Sequence, residues 1–412
     1  MKDMAIQHPK ASRIRKDLKS LKVKPVKICK HTSDDFLPDV LPSKELVDYY
    51  VKLYVGSFET SYRVLHLPSF WTSYTNLWRG PSKTKPGFVC LVLLMMAATY
   101  CLSSHDSEKS SRTPCLARDK ARYWIEECEI WLSCQSEKRM TTETVQSKCV
   151  LLIAQQMQSS KRKRTFTDVE TLMSFAISKG LHRDADIVNR RGGERKVSIF
   201  DQEMRRRLWS TVAELELEGA LDRGMPSSFP DLKVDCGAPY NCMDEALYPE
   251  MEHTPIAQPD SEITPSSYQS MASKSHSLRK QITCLLNGSD SRLSYVEVLA
   301  LDEKVLQCLN GIPMWVQSDS LLPRALLQLQ LYQLLLLLHR NFLSSQEGQH
   351  TYSRSTSVRA ARAIIDLLHD KMTNGCRVLL IFRQDLRNAA LSICYDFVKS
   401  QELAGKERVR TS

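Results

Sequence analysis

The sequence predicts an all-α fold, a large multi-helix bundle, on three observations. Glycine is sparse, 14 in 412 residues, and the apolar runs are rich in Leu and Ala rather than in the Val, Ile and Thr that favour strands. Apolar positions recur at helical intervals over most of the chain. Between residues 180 and 229, helix stop and start signals follow one another in the order two consecutive helices need. At 412 residues and 42% hydrophobic content, the chain can bury a large core in one helical domain or two.

The net charge of +10 is unevenly placed. Over residues 1–30, Lys2, Lys10, Arg13, Arg15, Lys16, Lys19, Lys22, Lys24, Lys27 and Lys30 face only Asp3 and Asp17, an excess of about +8. With few large apolar groups to bury, segment 1–42 is expected to be disordered and to touch phosphates non-specifically, through counterion release. It lacks the apolar stretch of a secretory signal, and a mitochondrial transit peptide is the less favoured alternative, because Lys dominates over Arg and acids intrude.

The helical region is expected to start at residue 43. Leu46, Tyr49, Tyr50, Leu53 and Tyr54 have helical spacing, and Pro68 breaks the segment that follows. Residues 88–102 are apolar all round but shorter than the ~20 a bilayer span needs, so they read as a buried core helix. Residues 113–132 are amphipathic: Pro114 suits a first turn, and Tyr123, Trp124, Cys128, Ile130 and Trp131 are available for packing. Residues 145–157 give another apolar helix. A capping box at Thr167 and Glu170 opens the next, where Val169, Leu172, Met173, Ala176 and Ile177 keep period as far as Gly180. Gly180 suits a left-handed stop, with Leu181 folding back on Phe175 and Ala176. Ser198 or Asp201 then caps a long helix with Met204, Leu208, Thr211, Val212 and Leu215 on one face. Asp222, Gly224 and Pro226 end it.

Residues 231–276, rich in Pro, Ser, Asp and Glu, read as a long acidic loop or a disordered insertion. Helical spacing resumes with Leu278, Ile282, Leu285 and Leu286, and again with Val296, Leu299, Val305, Leu306 and Leu309. The leucine-rich stretch 321–343 is interrupted by Arg324, Gln328, Gln330 and Gln333 too often for a membrane span. Ala360, Ala361, Ile364, Ile365 and Leu368 mark a further helix and 378–398 a last one. The expected organisation is a first helical part over 43–230, a second over 277–402, and a frayed charged tail over 403–412.

Several residue groups invite a chemical reading. The 13 cysteines are scattered, odd in number and never spaced C-x-x-C, which fits free thiols in a reducing compartment. His182-Arg183-Asp184 with Asn189 has the spacing of a protein-kinase catalytic loop. No Gly-rich phosphate loop, early-strand lysine or D-F-G accompanies it, so it reads as coincidence. Asp34, Asp35 and Asp39 have the look of an acidic metal motif, but Pro38 interrupts them and no second motif follows. His66 reads as a hydrogen-bonded structural histidine. Lys161-Arg162-Lys163-Arg164 is a candidate nuclear import cluster. Arg205, Arg206 and Arg207 point about 100° apart on a helix and cannot form one stripe. Arg207 is expected to pair with Glu203 at i,i+4, and another of the three with an acid across a helix contact.

GLHRD at 180–184, EMRRRLW at 203–209 and LDRGMP at 221–226, in this order and spacing, resemble the fungal-specific transcription factor domain. That family is an all-helical regulatory region found downstream of zinc-cluster DNA-binding heads. SFETSYRVLHLPSFW at 57–71 and LLLLLHRNFL at 334–343 resemble the same family. The resemblance rests on Arg63, His66, Pro68, Phe70, Gly180, Leu181, His182, Arg183, Glu203, Arg205, Arg206, Arg207, Trp209, Asp222, Gly224, Pro226, His339 and Arg340. It implies a nuclear transcription regulator rather than an enzyme, controlling a metabolic pathway or gene cluster. Zinc would be its only cofactor, held by six close cysteines in an N-terminal head. Here only Cys29, beside His31, precedes Cys90, so DNA contact is expected to be indirect or non-specific. The resemblance further implies a protein partner or homodimer, a small apolar effector, and no membrane. The alternative is a ligand- or protein-binding scaffold that has kept the domain without the DNA function.

Overall fold

The computed structural model describes residues 37–80, 85–102, 113–135, 141–158, 165–190, 197–288, 293–315, 321–343, 350–373, 379 and 383–411. Among these, every regular element is helical. The first part holds α1 (Lys44–Val55), α2 (Leu67–Arg79), α3 (Pro86–Thr99), α4 (Thr113–Cys134), α5 (Thr142–Gln158), α6 (Thr165–Ser178), the short α7 (Ala185–Arg190) and the long α8 (Ile199–Arg223). After an irregular connection come α9 (Ser267–Asn287), α10 (Tyr295–Asn310), α11 (Leu321–His339), α12 (Thr351–Thr373) and α13 (Arg383–Thr411).

The first core forms around α3, whose residues from Val89 to Thr99 are all buried. Pro86 sits in its first turn, where a missing N–H costs nothing, and the Leu, Met and Ala that follow are strong helix formers. Helices α1, α4 and α5 surround it. No helix among the described residues is long and apolar enough to cross a membrane. On α4, Trp124, Cys128 and Trp131 face this core at i, i+4 and i+7. Tyr123 and Ile130, which the sequence offered for packing, lie one position round and are exposed. The second core forms around α11, flanked by α9, α10 and α12, with α13 laid on α12.

Helix α8 runs between the two cores, packing on α6 on one side and α9 on the other. The single apolar face read from its sequence is therefore too narrow. Besides Leu208, Val212 and Leu215, it buries Glu203, Arg207, Glu214 and Glu216.

The helix ends follow their local chemistry. Gly180 has φ 70°, and the Leu181 N–H donates to Ala176 O while the Gly180 N–H donates to Ile177 O. This paired closure is repeated at Gly224 (φ 63°), with Met225 donating to Ala220 O and Gly224 to Leu221 O. At the start of α8, Ser198 rather than Asp201 is the cap, accepting the Asp201 N–H at 3.1 Å. A capping box the sequence reading did not single out opens α10, where Ser294 and Glu297 bond reciprocally.

Several boundaries differ from expectation. Helix α6 begins at Thr165, so Thr167 and Glu170 lie inside it; Glu170 instead accepts the Ser228 hydroxyl at 3.0 Å. Pro68 occupies the first turn of α2 rather than the extended stretch before it. The connection placed at 231–276 ends earlier, because α9 starts at Ser267. The connection is also an ordered loop, since its polar side chains bond its own backbone. Asn241, 4% exposed, donates to the carbonyls of Gln258, Pro259 and Glu262 and accepts from the hydroxyls of Thr264 and Ser267. The tail expected to fray from residue 403 is helical through Thr411, as its Glu, Leu, Ala, Lys and Arg content favours. Cysteines 90, 128, 149, 236, 242, 284, 308 and 394 are free thiols, whereas Cys134 is disulfide-bonded, against the expectation of thiols throughout.

A Cβ on Gly180 would meet only the Arg205 Nη2 at 3.7 Å, so the left-handed φ alone opposes substitution. Gly180→Val is expected to destabilise the fold by about 1–2 kcal/mol in thermal or urea unfolding. Gly80→Ala, at an extended φ of −170° with open space around it, is the control that leaves the midpoint unchanged.

Candidate functional site

Two of the signature segments, 57–71 and 203–209, meet at one buried ionic cluster. Helix α8 places Glu203 and Arg207 one turn apart, 1% and 0% exposed. The irregular stretch before α2 supplies Arg63, also 1% exposed. The third contributor is Asp244, the first residue of a 3-10 turn in the connection between α8 and α9. Its Oδ1 accepts from Arg207 Nη1 at 2.7 Å and from Arg63 Nη2. Its Oδ2 accepts the Leu67 N–H at 3.0 Å, placing negative charge at the N-terminus of α2. The Asp244 carbonyl accepts from His66 Nε2 at 3.0 Å, and His66 Nδ1 lies 2.7 Å from the Ser69 hydroxyl. Glu59 accepts the Leu65 N–H at 2.7 Å and lies 3.7 Å from Arg63. Glu203 accepts from Arg207 Nε at 3.3 Å and from the Tyr240 N–H at 3.1 Å.

Three carboxyl groups thus face two guanidiniums. Burial pushes Glu59 up from 4.5 to about 8 against the pull of Arg63, and Glu203 up to about 7 against that of Arg207. Burial acts the same way on Asp244, but Arg63 and Arg207 together outweigh it and hold that carboxyl at about 2. Asp244 is therefore the charged anchor. Glu59, with one oxygen lacking any hydrogen-bond partner, is the carboxyl of the three that burial pushes furthest up.

The three consecutive arginines diverge. Arg207 enters the cluster. Arg206 turns to Asp184 at 3.2 Å and lies over the Tyr240 ring. Arg205 donates to Gly180 O at 2.7 Å, capping the end of α6 that Gly180 closes. The His182 carbonyl accepts the N–H groups of Asp235 and Cys236, and its ring packs near Trp209. Burial and the nearby Arg183 charge depress the His182 pKa. Arg183 pairs with Asp235 at 2.9 Å, Asp184 accepts the Asp186 N–H at 2.8 Å, and Asn189 bonds both backbone groups of Val197. The kinase-like run is thus a set of loop fasteners. Leu181, Phe70 and Trp209 are buried, while Asp222 and Pro226 lie half-buried around the end of α8.

His339 and Arg340 lie elsewhere, at the end of α11. His339 is fully buried between Asp302 (3.0 Å) and Ser353 (2.8 Å), whereas Arg340 is exposed. A further polar group lies between the two cores: Arg279 is bidentate to Glu214, and Gln330 donates to Glu214 and Glu218 while Tyr62 donates to Glu218. Burial, then Glu214, pushes Glu218 up to about 8; Arg279 and His276 overcome burial to hold Glu214 well below the usual carboxylate range. Lys161–Arg164, Asp34, Asp35, Cys29, His31 and residues 1–36 as a whole lie outside the described residues. Among the described residues no group of three or more His, Cys, Asp or Glu is arranged to hold a metal ion.

Sequence reasoning missed Asp244, Glu59 and the Glu214–Arg279 pair. Glu59 was within reach, since it stands four residues before Arg63. Asp244 had no local signal, being one acid in an acidic stretch. Its removal leaves two buried guanidiniums facing each other, so Asp244→Ala is expected to cost about 3–5 kcal/mol in unfolding. Glu59 binds its proton more tightly folded than unfolded. Its contribution to stability is full below pH 4.5 and is lost as the pH rises towards about 8. Glu59→Gln keeps the acceptor for the Leu65 N–H but cannot ionise. Its melting temperature relative to wild type is expected to rise steadily between about pH 5 and about pH 8.5; a constant offset would show that Glu59 is charged throughout.

Comparison with known proteins places this architecture. The profile described as the fungal specific transcription factor domain matches residues 48–312. Transcription factor opdR of Penicillium oxalicum is 34% identical over 270 residues, covering 64% of this chain and 32% of that protein. Transcription factor lepE of Aspergillus flavus is 28% identical over 332 residues, covering 79% and 38%. The equisetin cluster transcription factor eqxF of Fusarium heterosporum is 23% identical over 364 residues, covering 82% and 50%. The chain thus spans a third to a half of the length of these curated relatives, and no solved structure matches it. With the family profile covering more than half of its length, the chain belongs to the fungal specific transcription factor domain family.

Proposed function

We infer that this chain is the helical regulatory module of a nuclear transcription regulator, of the kind that controls a metabolic gene cluster. The observation that carries this reading is the match over residues 48–312 to a domain whose relatives bear the name transcription factor. One relative's name ties it to the equisetin cluster, which supports a cluster-level role here. The module acts through the packing of its helices: two cores meet across the buried charges of α8, and a ligand or partner that favours one arrangement shifts the population. DNA is reached indirectly or non-specifically, through a partner or a second copy, and a small apolar effector sets the state.

The test is to fuse the chain to a heterologous DNA-binding domain in a fungal host carrying the matching reporter. The fusion is expected to accumulate in nuclei and to change reporter output severalfold relative to the DNA-binding domain alone. Alanine at Lys161, Arg162, Lys163 and Arg164 is expected to reduce nuclear accumulation of the unfused chain. Unchanged output together with cytoplasmic residence would instead favour a scaffold that retains the domain without the regulatory role.

A further inference from the structure

Of the six signature arginines, five are committed to structural partners: Arg63 and Arg207 to Asp244, Arg183 to Asp235, Arg205 to Gly180 O and Arg206 to Asp184. Arg340 has no side-chain hydrogen bond or ion pair among the described residues. It stands at the rim of a groove of about 600 Å³ between the end of α11 and α13. The walls are Leu336, Leu337, Leu343, Leu391, Tyr395 and Val398. Leu391 and Val398 are 62% and 53% exposed, so this apolar lining faces solvent. The groove lies within the roughly 300–1,000 Å³ of small-molecule sites and shares their chemistry, apolar walls with a few polar groups.

We propose that this groove binds a small amphipathic carboxylic acid, its apolar body along Leu336, Leu391 and Val398 and its carboxylate paired with Arg340. The assignment rests on the regulatory reading above and gives its effector a place and a chemical class. Among the described residues the lining holds no acid, and Asp396, next to Tyr395 in sequence, is engaged by Arg354. A two-fold contact between copies across this groove would bring two Arg340 side chains into one apolar interface with no counter-charge, which is costly. An anionic amphiphile supplies the missing charge and covers the apolar walls. Helix α11 fixes the geometry, because His339, the residue before Arg340, is locked between Asp302 and Ser353.

The experiment uses the purified full chain and three probes of equal chain length, decanoate, decanol and decylamine, below their micelle concentrations, in calorimetric titrations. Decanoate is expected to bind saturably with one site and about tenfold more tightly than decanol, as loss of one charge-assisted contact implies. Arg340→Gln is expected to remove that advantage without lowering the melting temperature, since the side chain is exposed. Leu391→Trp is expected to fill the groove and abolish binding of both probes. Equal binding of all three probes, or an acid preference that survives Arg340→Gln, would overturn the proposal. So would sedimentation showing a dimer that Leu391→Asp dissolves, because the groove would then belong to a second copy. The reporter fusion decides the regulatory reading separately: titration failing while the fusion works removes the site and leaves the function.

Discussion

The fold depends on pairing the charges that α8 carries into the interior. Glu203, Arg207, Glu214 and Glu216 are all at most 3% exposed, on a helix that lies between two apolar cores. An ion taken out of water costs several kcal/mol unless an opposite charge and hydrogen bonds meet it. Beyond the Glu203–Arg207 pair within the helix, the partners come from outside it: Asp244 and the Tyr240 N–H from the connection, Arg279 from α9, and Ser227 with the Ser228 N–H from the turn after α8. The charges of α8 therefore dictate where the chain must return. The connection between α8 and α9 is ordered because α8 cannot be buried without it.

This explains which parts of the fold were legible in the sequence. Helices such as α3, with unbroken apolar content, and the stops at Gly180 and Gly224 are written locally, since period and backbone conformation need only neighbours in sequence. The order within the polar connection was not legible, because composition treats Asp and Asn as solvated. Here Asn241 and Asp244 spend their hydrogen bonds on carbonyls, N–H groups and guanidiniums a few to many residues away. A polar residue that organises a loop and one that merely keeps it wet look the same in a composition count. The same blindness hid the burial of Glu203, Arg207, Glu214 and Glu216 on α8, for which the sequence showed only one apolar face.

The two cores do not meet through an apolar face. Between them stand Glu214, Arg279, Gln330, Glu218, Tyr62 and Tyr268, linked by directional hydrogen bonds. Apolar contacts tolerate sliding, whereas a bidentate Arg–carboxylate pair holds over a narrow range of angles. The seam thus sets the relative placement of the halves. A rearrangement of one half against the other therefore has to break these bonds.

Motif resemblance also cannot separate arginines that build the domain from one left over for a ligand. Arg205, Arg206 and Arg207 are adjacent and identical in chemistry, yet one caps a helix, one ties down a loop and one neutralises a buried acid. Their roles follow from the 100° steps of a helix, which send each to a different neighbour. Arg340 belongs to the same signature but follows the last turn of α11, where it is exposed and no carboxylate among the described residues pairs with it. Its neighbour His339 points inward and is fully paired, so the two residues divide the work: one holds the end of the helix, and the other presents a charge over an apolar groove.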